Sequence, residues 1–143
     1  MKLCILGGGL TGLSLAKSLV KKGLSIDIFL NKKKSDFNRS RTIGISNDNL
    51  MYFNKEILDI KKLFWDIKKI EIYSDNLRNE KILNFENNNK TVFAIIRNYQ
   101  LQSKLLKSLK KDKLCKFKQS FDYNLSNLKK YKLIINCEND NYF

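Results

Sequence analysis

The sequence predicts an α/β fold built around a parallel sheet, and three features near the amino terminus carry this prediction. Residues 3–6, LCIL, form a short apolar run typical of a buried parallel strand. A glycine-rich turn follows, and then a helical pattern that places Leu13, Ala16, Leu19 and Val20 on one side. A second apolar run at residues 25–30, SIDIFL, completes a strand-turn-helix-strand unit.

The glycine-rich turn matches the G-x-G-x-x-G motif of Rossmann-like dinucleotide-binding folds. Gly7 would allow the tight turn, Gly9 the close approach of a pyrophosphate, and Gly12 the close packing of helix on strand. Because the motif lies between a strand and a helix, it favours a dinucleotide-binding turn over a merely structural glycine turn. A signal peptide is the other alternative, but successive glycines and the strand-like run after Gly23 do not fit one.

The motif lacks one of its usual partners. An acidic residue that holds a ribose hydroxyl is expected about twenty residues after the last glycine, at the end of the second strand. Leu30 and Asn31 stand at this place instead. Asn31 offers a single hydrogen bond where a carboxylate is usual, so we expect it to contact the ribose more weakly.

Length and composition narrow the class of protein. With 143 residues, 43% of them hydrophobic, the chain can bury one ordinary core, so residues 1–143 are expected to form a single domain. The absence of histidine excludes Ser-His-Asp and Cys-His triads and argues against a zinc site. Cys4, Cys115 and Cys137 lack CxxC spacing, which indicates a reducing cytoplasm. The chain is therefore expected either to take its chemistry from a bound cofactor or to carry out none.

The formal net charge of +14 arises from 28 basic and 14 acidic residues. The lysines are spread along the whole chain, which argues against a nucleic-acid-binding module. From Asn98 onward the sequence predicts a helix with lysines on one side and leucines on the other, namely Leu101, Leu105, Leu106 and Leu109. Such a helix would allow peripheral attachment to an anionic inner membrane, although a packed helix with a solvated face is the favoured alternative.

The middle of the chain predicts antiparallel strands inserted into the nucleotide-binding fold. Residues 69–97 contain the runs KIEIYS, KILNFE and VFAIIRN, separated by asparagine-rich turns. Before them, Ser46 or Asn47 would cap a helix that contains Leu50, Phe53 and Ile57.

Beyond the glycine turn, the sequence resembles the FAD-dependent hydroxylases of ubiquinone biosynthesis, a branch of the single-component aromatic-ring flavoprotein monooxygenases. Residues 41–46, RTIGIS, are similar to the R-x-x-A-L-S part of the family's D-x-R-x-x-A-L-S segment. Residues 93–101, FAIIRNYQL, look like the strand-to-helix passage whose polar residues reach the flavin. Three further segments are similar to a helix end, a strand and the strand that ends in A-D-G in the family: residues 63–66, 70–75 and 132–139.

The resemblance implies an FAD-binding domain with the following cofactor contacts: Gly7, Gly9, Gly12, Asn31, Arg41, Arg97, Asn98 and Gln100. It also implies NAD(P)H as electron donor, dioxygen as oxidant and a small aromatic or quinone-precursor substrate. No catalytic or metal-binding residue is assigned. Compared with the family's pattern, this chain has Leu30 in place of the ribose-binding acid and Glu138-Asn139 in place of the Asp-Gly pair.

The family's chains are more than twice as long, so the resemblance implies an incomplete domain, the amino-terminal portion of a longer architecture. Its solubility would then depend on a protein partner or on the missing carboxy-terminal half. The alternative is a shortened, non-catalytic paralogue that serves as a binding or assembly subunit of a quinone-biosynthesis complex. The replacements at Leu30 and Glu138 favour this alternative.

Overall fold

A computed structural model describes residues 2–30, 39–75, 78, 80–88, 90–119 and 129–138. Its elements in chain order are β1 (Lys2–Leu6), α1 (Leu10–Lys21), β2 (Ser25–Leu30), β3 (Thr42–Ser46), α2 (Asn47–Tyr52), a π-helical turn (Phe53–Ile57), β4 (Phe64–Ile67), β5 (Lys69–Tyr73), β6 (Lys81–Glu86), β7 (Phe93–Arg97), α3 (Asn98–Lys110), β8 (Cys115–Gln119) and β9 (Leu133–Asn136).

A parallel sheet with strand order β8-β2-β1-β9 forms the centre of the molecule. Leu3 on β1 pairs with Ile26 on one side and with Leu133 on the other, and Ile26 pairs in turn with Cys115. All three pairings are parallel, and α1 connects the first two strands. This arrangement confirms the predicted Rossmann-like α/β fold.

Antiparallel strands are inserted between the second and third strands of the parallel sheet, as predicted. They form a three-stranded sheet of order β3-β7-β4 and a two-stranded hairpin, β5-β6. Residues 63–66 were expected to resemble a helix end, but this expectation is wrong, because Phe64–Ile67 is strand β4. Its residues pair with β7, Trp65 opposite Ile95, so the backbone obtains its hydrogen bonds from the sheet rather than from a helix.

One face of the parallel sheet is covered by α1 and α3, and the apolar core lies between them. The side chains that are at most 2% exposed there include Leu3, Ile5, Ile26, Ile28, Leu13, Ala16, Leu101, Leu105 and Leu109. Full burial of one leucine or isoleucine side chain stabilises a fold by about 1.5–3 kcal/mol. Of the leucines predicted to share one side of α3, Leu106 is partly buried against the core, and the other three are buried. None of the helices in the described ranges has the length and apolar character needed to cross a lipid bilayer.

The other face of the parallel sheet carries a buried carboxylate. Asp27 on β2 is 0% exposed, and its Oδ2 lies 2.7 Å from Lys118 Nζ, 2.7 Å from Tyr131 Oη and 3.0 Å from Lys2 Nζ. Burial favours the protonated acid, but hydrogen bonds from these three donors outweigh it and lower the pKa of Asp27. Burial, with the neighbouring Asp27 charge, raises the pKa of the Cys4 thiol to about 12.

Candidate cofactor-binding site

The glycine turn joins β1 to α1 in a conformation that demands glycine at its first position. Gly7 has φ +111°, a left-handed conformation that side chains disfavour. A Cβ there would also lie 2.7 Å from Glu138 Cγ. The turn is tied to the next strand because Gly7 N donates a hydrogen bond to Phe29 O at 3.0 Å.

Gly12 and Gly9 differ in what surrounds them. A Cβ at Gly12 would collide with the carbonyl oxygen of Gly7, so only glycine lets α1 pack this closely against the turn. Gly9 has φ −74° and ψ 178°, which any residue adopts, and apart from its chain neighbours no described residue has an atom within 4 Å of its Cβ position. The space beside Gly9 is therefore open to a ligand.

The amino terminus of α1 lies next to this space, because Gly9 is its N-cap. The first N–H groups of a helix have no acceptor within the helix, and the helix dipole makes this end attractive to anions. The first turn of α1 contains no acidic residue, and its N-cap is Gly9, which has no side chain that could accept a hydrogen bond from the helix. These features together suit a phosphate group.

Helix α3 brings further polar groups to the glycine turn. Gln102 Nε2 donates a hydrogen bond to Gly8 O at 2.7 Å. One helical turn earlier, Asn98 N donates to Arg41 O at 3.0 Å. The Asn98 Oδ1 atom is buried and has no hydrogen-bond partner among the residues that the structure describes. Asn98 thus lies one turn of α3 before Gln102, and Arg41, which is exposed, contacts it through the backbone carbonyl.

Three more residues were predicted to contact the cofactor: Arg97, Gln100 and Asn31. The Arg97 guanidinium lies over the Trp65 ring, 5.1 Å from the ring centroid. Trp65 pairs with Ile95, two residues before Arg97 on β7, so the three side chains lie on the same face of the three-stranded sheet. Gln100 is half-buried on α3. Asn31 lies outside the described residues. For these three residues, as for the other five predicted ones, contact with a cofactor stays a prediction.

A cavity of about 350 Å³ opens where α1 begins. Leu10, Thr11 and Ser14 line it from α1, the range 43–45 lines it from β3, and Tyr52 closes it from α2. Its lining is mostly apolar, with the hydroxyl groups of Thr11, Ser14 and Tyr52 as polar points. Sequence reasoning missed Thr11 and Ser14, although both fall on the helix that directly follows the motif.

Two side chains at the turn differ from the usual dinucleotide pattern. A Cβ at Gly8 would collide with the Leu30 side chain, so Leu30 lies against the turn at the end of β2, where a ribose-binding acid is usual. Glu138 lies against Gly7 from the residues that follow β9. The described residues contain no group of three or more His, Cys, Asp or Glu side chains that would hold a metal ion.

Comparison with known proteins gives matches only among solved structures. No family model matches the sequence, and no curated protein does. The p-nitrophenol 4-monooxygenase PnpA from Pseudomonas putida DLL-E4 is 14% identical, with a TM-score of 0.66 over 82% of this chain and 31% of that chain. PqsL from P. aeruginosa in complex with 2-aminobenzoylacetate is 13% identical, with a TM-score of 0.65 over 89% of this chain and 36% of that one.

A third match is Klebsiella pneumoniae HpxO complexed with FAD and uric acid. It is 19% identical, with a TM-score of 0.59 over 82% of this chain and 30% of that chain. The class that the fold defines is thus the Rossmann-like α/β domain found in these proteins. The chain spans about a third of their length.

Proposed function

We propose that this chain binds FAD at the glycine turn and forms the FAD-binding part of a flavin-dependent monooxygenase that hydroxylates an aromatic ring. The observation that carries the proposal is the open space beside Gly9 at the uncapped amino terminus of α1. The fold is shared with a p-nitrophenol 4-monooxygenase and with a protein crystallised with FAD and uric acid, which supports this choice of cofactor and reaction class.

The residues around the turn fit the parts of FAD. The N–H groups at the start of α1 would bind the pyrophosphate, and the Arg41 guanidinium would balance its charge. The unpartnered Asn98 Oδ1 would accept a hydrogen bond from a cofactor hydroxyl. The apolar cavity beside α1 would take part of the ring system. Asn31, Arg97 and Gln100 would add the further polar contacts that the sequence predicts.

The division of labour follows from the residue types in the site. Bound FAD would supply the redox chemistry, which these side chains cannot perform. The chain's own residues would hold the cofactor, orient it and exclude water with the apolar groups Ile43 and Ile45. They would provide no general acid or base.

The finer assignment rests on the resemblance of residues 41–46 and 93–101. On this basis we infer that residues 1–143 form the amino-terminal FAD-binding portion of a ubiquinone-biosynthesis hydroxylase. NAD(P)H would be the electron donor, and a quinone precursor with an aromatic ring would be the substrate. NAD(P)H and the substrate would contact residues other than the ones that bind FAD in this chain.

An FAD titration of the purified chain, followed by flavin fluorescence, tests the proposal. We expect saturable binding that resists competition by NAD and that Gly9→Trp weakens by at least about tenfold, since the indole would fill the ligand space. Because Gly9 has ordinary backbone angles and open surroundings, the variant should remain folded. Leu83→Trp, on the exposed hairpin, is the matched control and should bind as the wild type does.

Two results would contradict the proposal. If the folded wild-type chain binds no FAD, the proposal is wrong. If Gly9→Trp binds FAD as well as the wild type does, the cofactor does not bind at the glycine turn. In the first case, the non-catalytic binding or assembly subunit would become the better function, since Leu30 already occupies the place beside Gly8 where the ribose acid is usual.

A further inference from the structure

The carbonyl oxygens of the glycine turn all face the protein. Gly9 O accepts a hydrogen bond from Leu13 N at 3.0 Å, and Gly8 O accepts one from Gln102 Nε2 at 2.7 Å. Gly7 O lies against Gly12. An anion-binding turn requires this arrangement, because a carbonyl oxygen that faced a phosphate would repel it.

The contact from Gln102 differs from the other two because it comes from another helix. It joins residues 94 positions apart in the chain and is partly buried. A carbonyl oxygen only accepts hydrogen bonds, so the amide group that faces Gly8 must be the NH₂ of Gln102. The side-chain orientation is therefore fixed by chemistry as well as by distance.

The hydrogen bond sets the direction of the neighbouring N–H group. In a trans peptide the C=O and the following N–H point in opposite directions, and the described residues contain no cis peptide bond. Because Gly8 O points at Gln102 on α3, the N–H of Gly9 points away from α3. It belongs to the residue whose surroundings are open to a ligand.

A tether of this kind is needed because the turn is intrinsically loose. Residues 7–9 are all glycine, and glycine imposes little steric preference on the rotation of the peptide planes around it. The Gly8–Gly9 peptide would otherwise flip and present its carbonyl to the ligand. Gly7 N bonds to Phe29 O and Leu13 N bonds to Gly9 O, but neither hydrogen bond involves the Gly8–Gly9 peptide group.

We infer that Gln102 is a positioning residue for the cofactor site: its side-chain amide holds the Gly8 carbonyl toward α3 so that the Gly9 N–H is presented to the pyrophosphate. This inference rests on the proposed FAD-binding function. It adds to that function a residue that does not contact the ligand and that the sequence motif does not include.

The test compares wild type with Gln102→Met, which keeps the side-chain length and removes the donor. Ser103→Met, at the neighbouring exposed position of α3, is the matched control. FAD and ADP, which share the pyrophosphate, are titrated against each folded protein. We expect Gln102→Met to weaken both ligands by about tenfold, a loss typical of one misplaced donor to a charged group, and Ser103→Met to weaken neither.

A second measurement reports on the turn without any ligand. The amide nitrogen of Gly9 belongs to the peptide group whose carbonyl Gln102 holds, so its NMR signal should move in Gln102→Met while that of the distant Gly23 stays in place. A merely structural role in packing α3 would lower stability but would not move the Gly9 signal selectively.

The outcomes separate the two proposals. If wild type binds neither ligand, the proposed function fails, and the Gly9 signal alone then decides whether Gln102 positions the turn. If wild type binds FAD and Gln102→Met binds it equally well, the positioning role is overturned. An unchanged Gly9 signal in a folded Gln102→Met protein overturns it as well.

Discussion

A side chain at Gly12 would collide with the Gly7 carbonyl oxygen, whereas one at Gly9 would meet no atom of the described residues within 4 Å. The two glycines thus satisfy different requirements although the same motif contains them. Gly12 allows the helix to pack, and Gly9 leaves room for a ligand. The position of each glycine in the motif already predicts these two requirements, and the surroundings of each residue in the structure are consistent with them.

Asp27 allows a prediction at the same scale. We expect Asp27→Asn to lower the free energy of unfolding at neutral pH by about 2 kcal/mol, because Lys118, Tyr131 and Lys2 lose a charged acceptor. The pKa of Asp27 is lowered from 3.8 on folding. Its ionised form therefore contributes stability that is fully present above 3.8 and is lost as the pH falls through the lower folded pKa.

Urea unfolding at a series of pH values measures this contribution. The difference between wild type and Asp27→Asn should stay constant near neutral pH and shrink in acid below 3.8. Tyr131→Phe, which removes only one donor, should give a smaller difference. A stability gap that is the same in strong acid as at neutral pH would contradict the assignment.

Among the elements, those with a clear hydrophobic period were predictable. The first strand-turn-helix-strand unit and α3 follow directly from the spacing of glycines and leucines, and the N-cap of α2 was predicted at Ser46 or Asn47 and is Ser46. Strand β8 was not predicted, because its residues CKFKQ contain only two apolar side chains among lysines. Strand β4 was missed because its place is set by pairing with β7, which is distant in sequence.

The elements also differ in how much burial stabilises them. Leu105 on α3 is 0% exposed, whereas Leu83 on the β5-β6 hairpin is 47% exposed. We expect Leu105→Ala to lower the free energy of unfolding by about 3 kcal/mol, from lost burial and the cavity that remains. Leu83→Ala should change it by less than about 0.5 kcal/mol.

Chemical denaturation of both variants compares the stabilities of the two elements. The denaturant dependence of the unfolding free energy should be the same in both variants if unfolding is two-state. A cost at Leu83 equal to that at Leu105 would show that the hairpin is packed against something in solution.

For the whole molecule, a net charge of +14 opposes self-association, while strand β9 presents an outer edge that is unpaired within the described residues and carries Leu133, 54% exposed. We expect the chain to be monomeric at low salt and to associate at high salt, where screening shortens the Debye length to about 3 Å at 1 M. Leu133→Lys should keep it monomeric in both conditions.

Sedimentation velocity at the two ionic strengths measures the change, with Leu83→Lys on the hairpin as the control for added charge alone. Equal protection by the two lysine variants would show that charge, rather than the β9 edge, governs association.

At this scale the sequence predicts the site only in part. The glycine motif and Arg41 lie in recognisable patterns, but the contact between Gln102 and Gly8 joins positions 94 residues apart, and no periodicity predicts such a pair. The direction of the Arg97 side chain, over Trp65, likewise depends on how two strands pair. Long-range pairing therefore sets which of the predicted polar residues stand at the turn.

The order of strands in the parallel sheet has a consequence for how the protein is made. Leu3 pairs with Leu133, so the sheet that supports the glycine turn gains its fourth strand only after nearly all of the described chain has been synthesised. Until β9 has been synthesised, one edge of β1 has no strand to pair with. The antiparallel strands are also synthesised before the parallel sheet is complete. Contacts this distant in sequence slow folding, and open strand edges favour aggregation. The edge of β1 is therefore the part of the nascent chain where we expect incorrect pairing until β9 has been made.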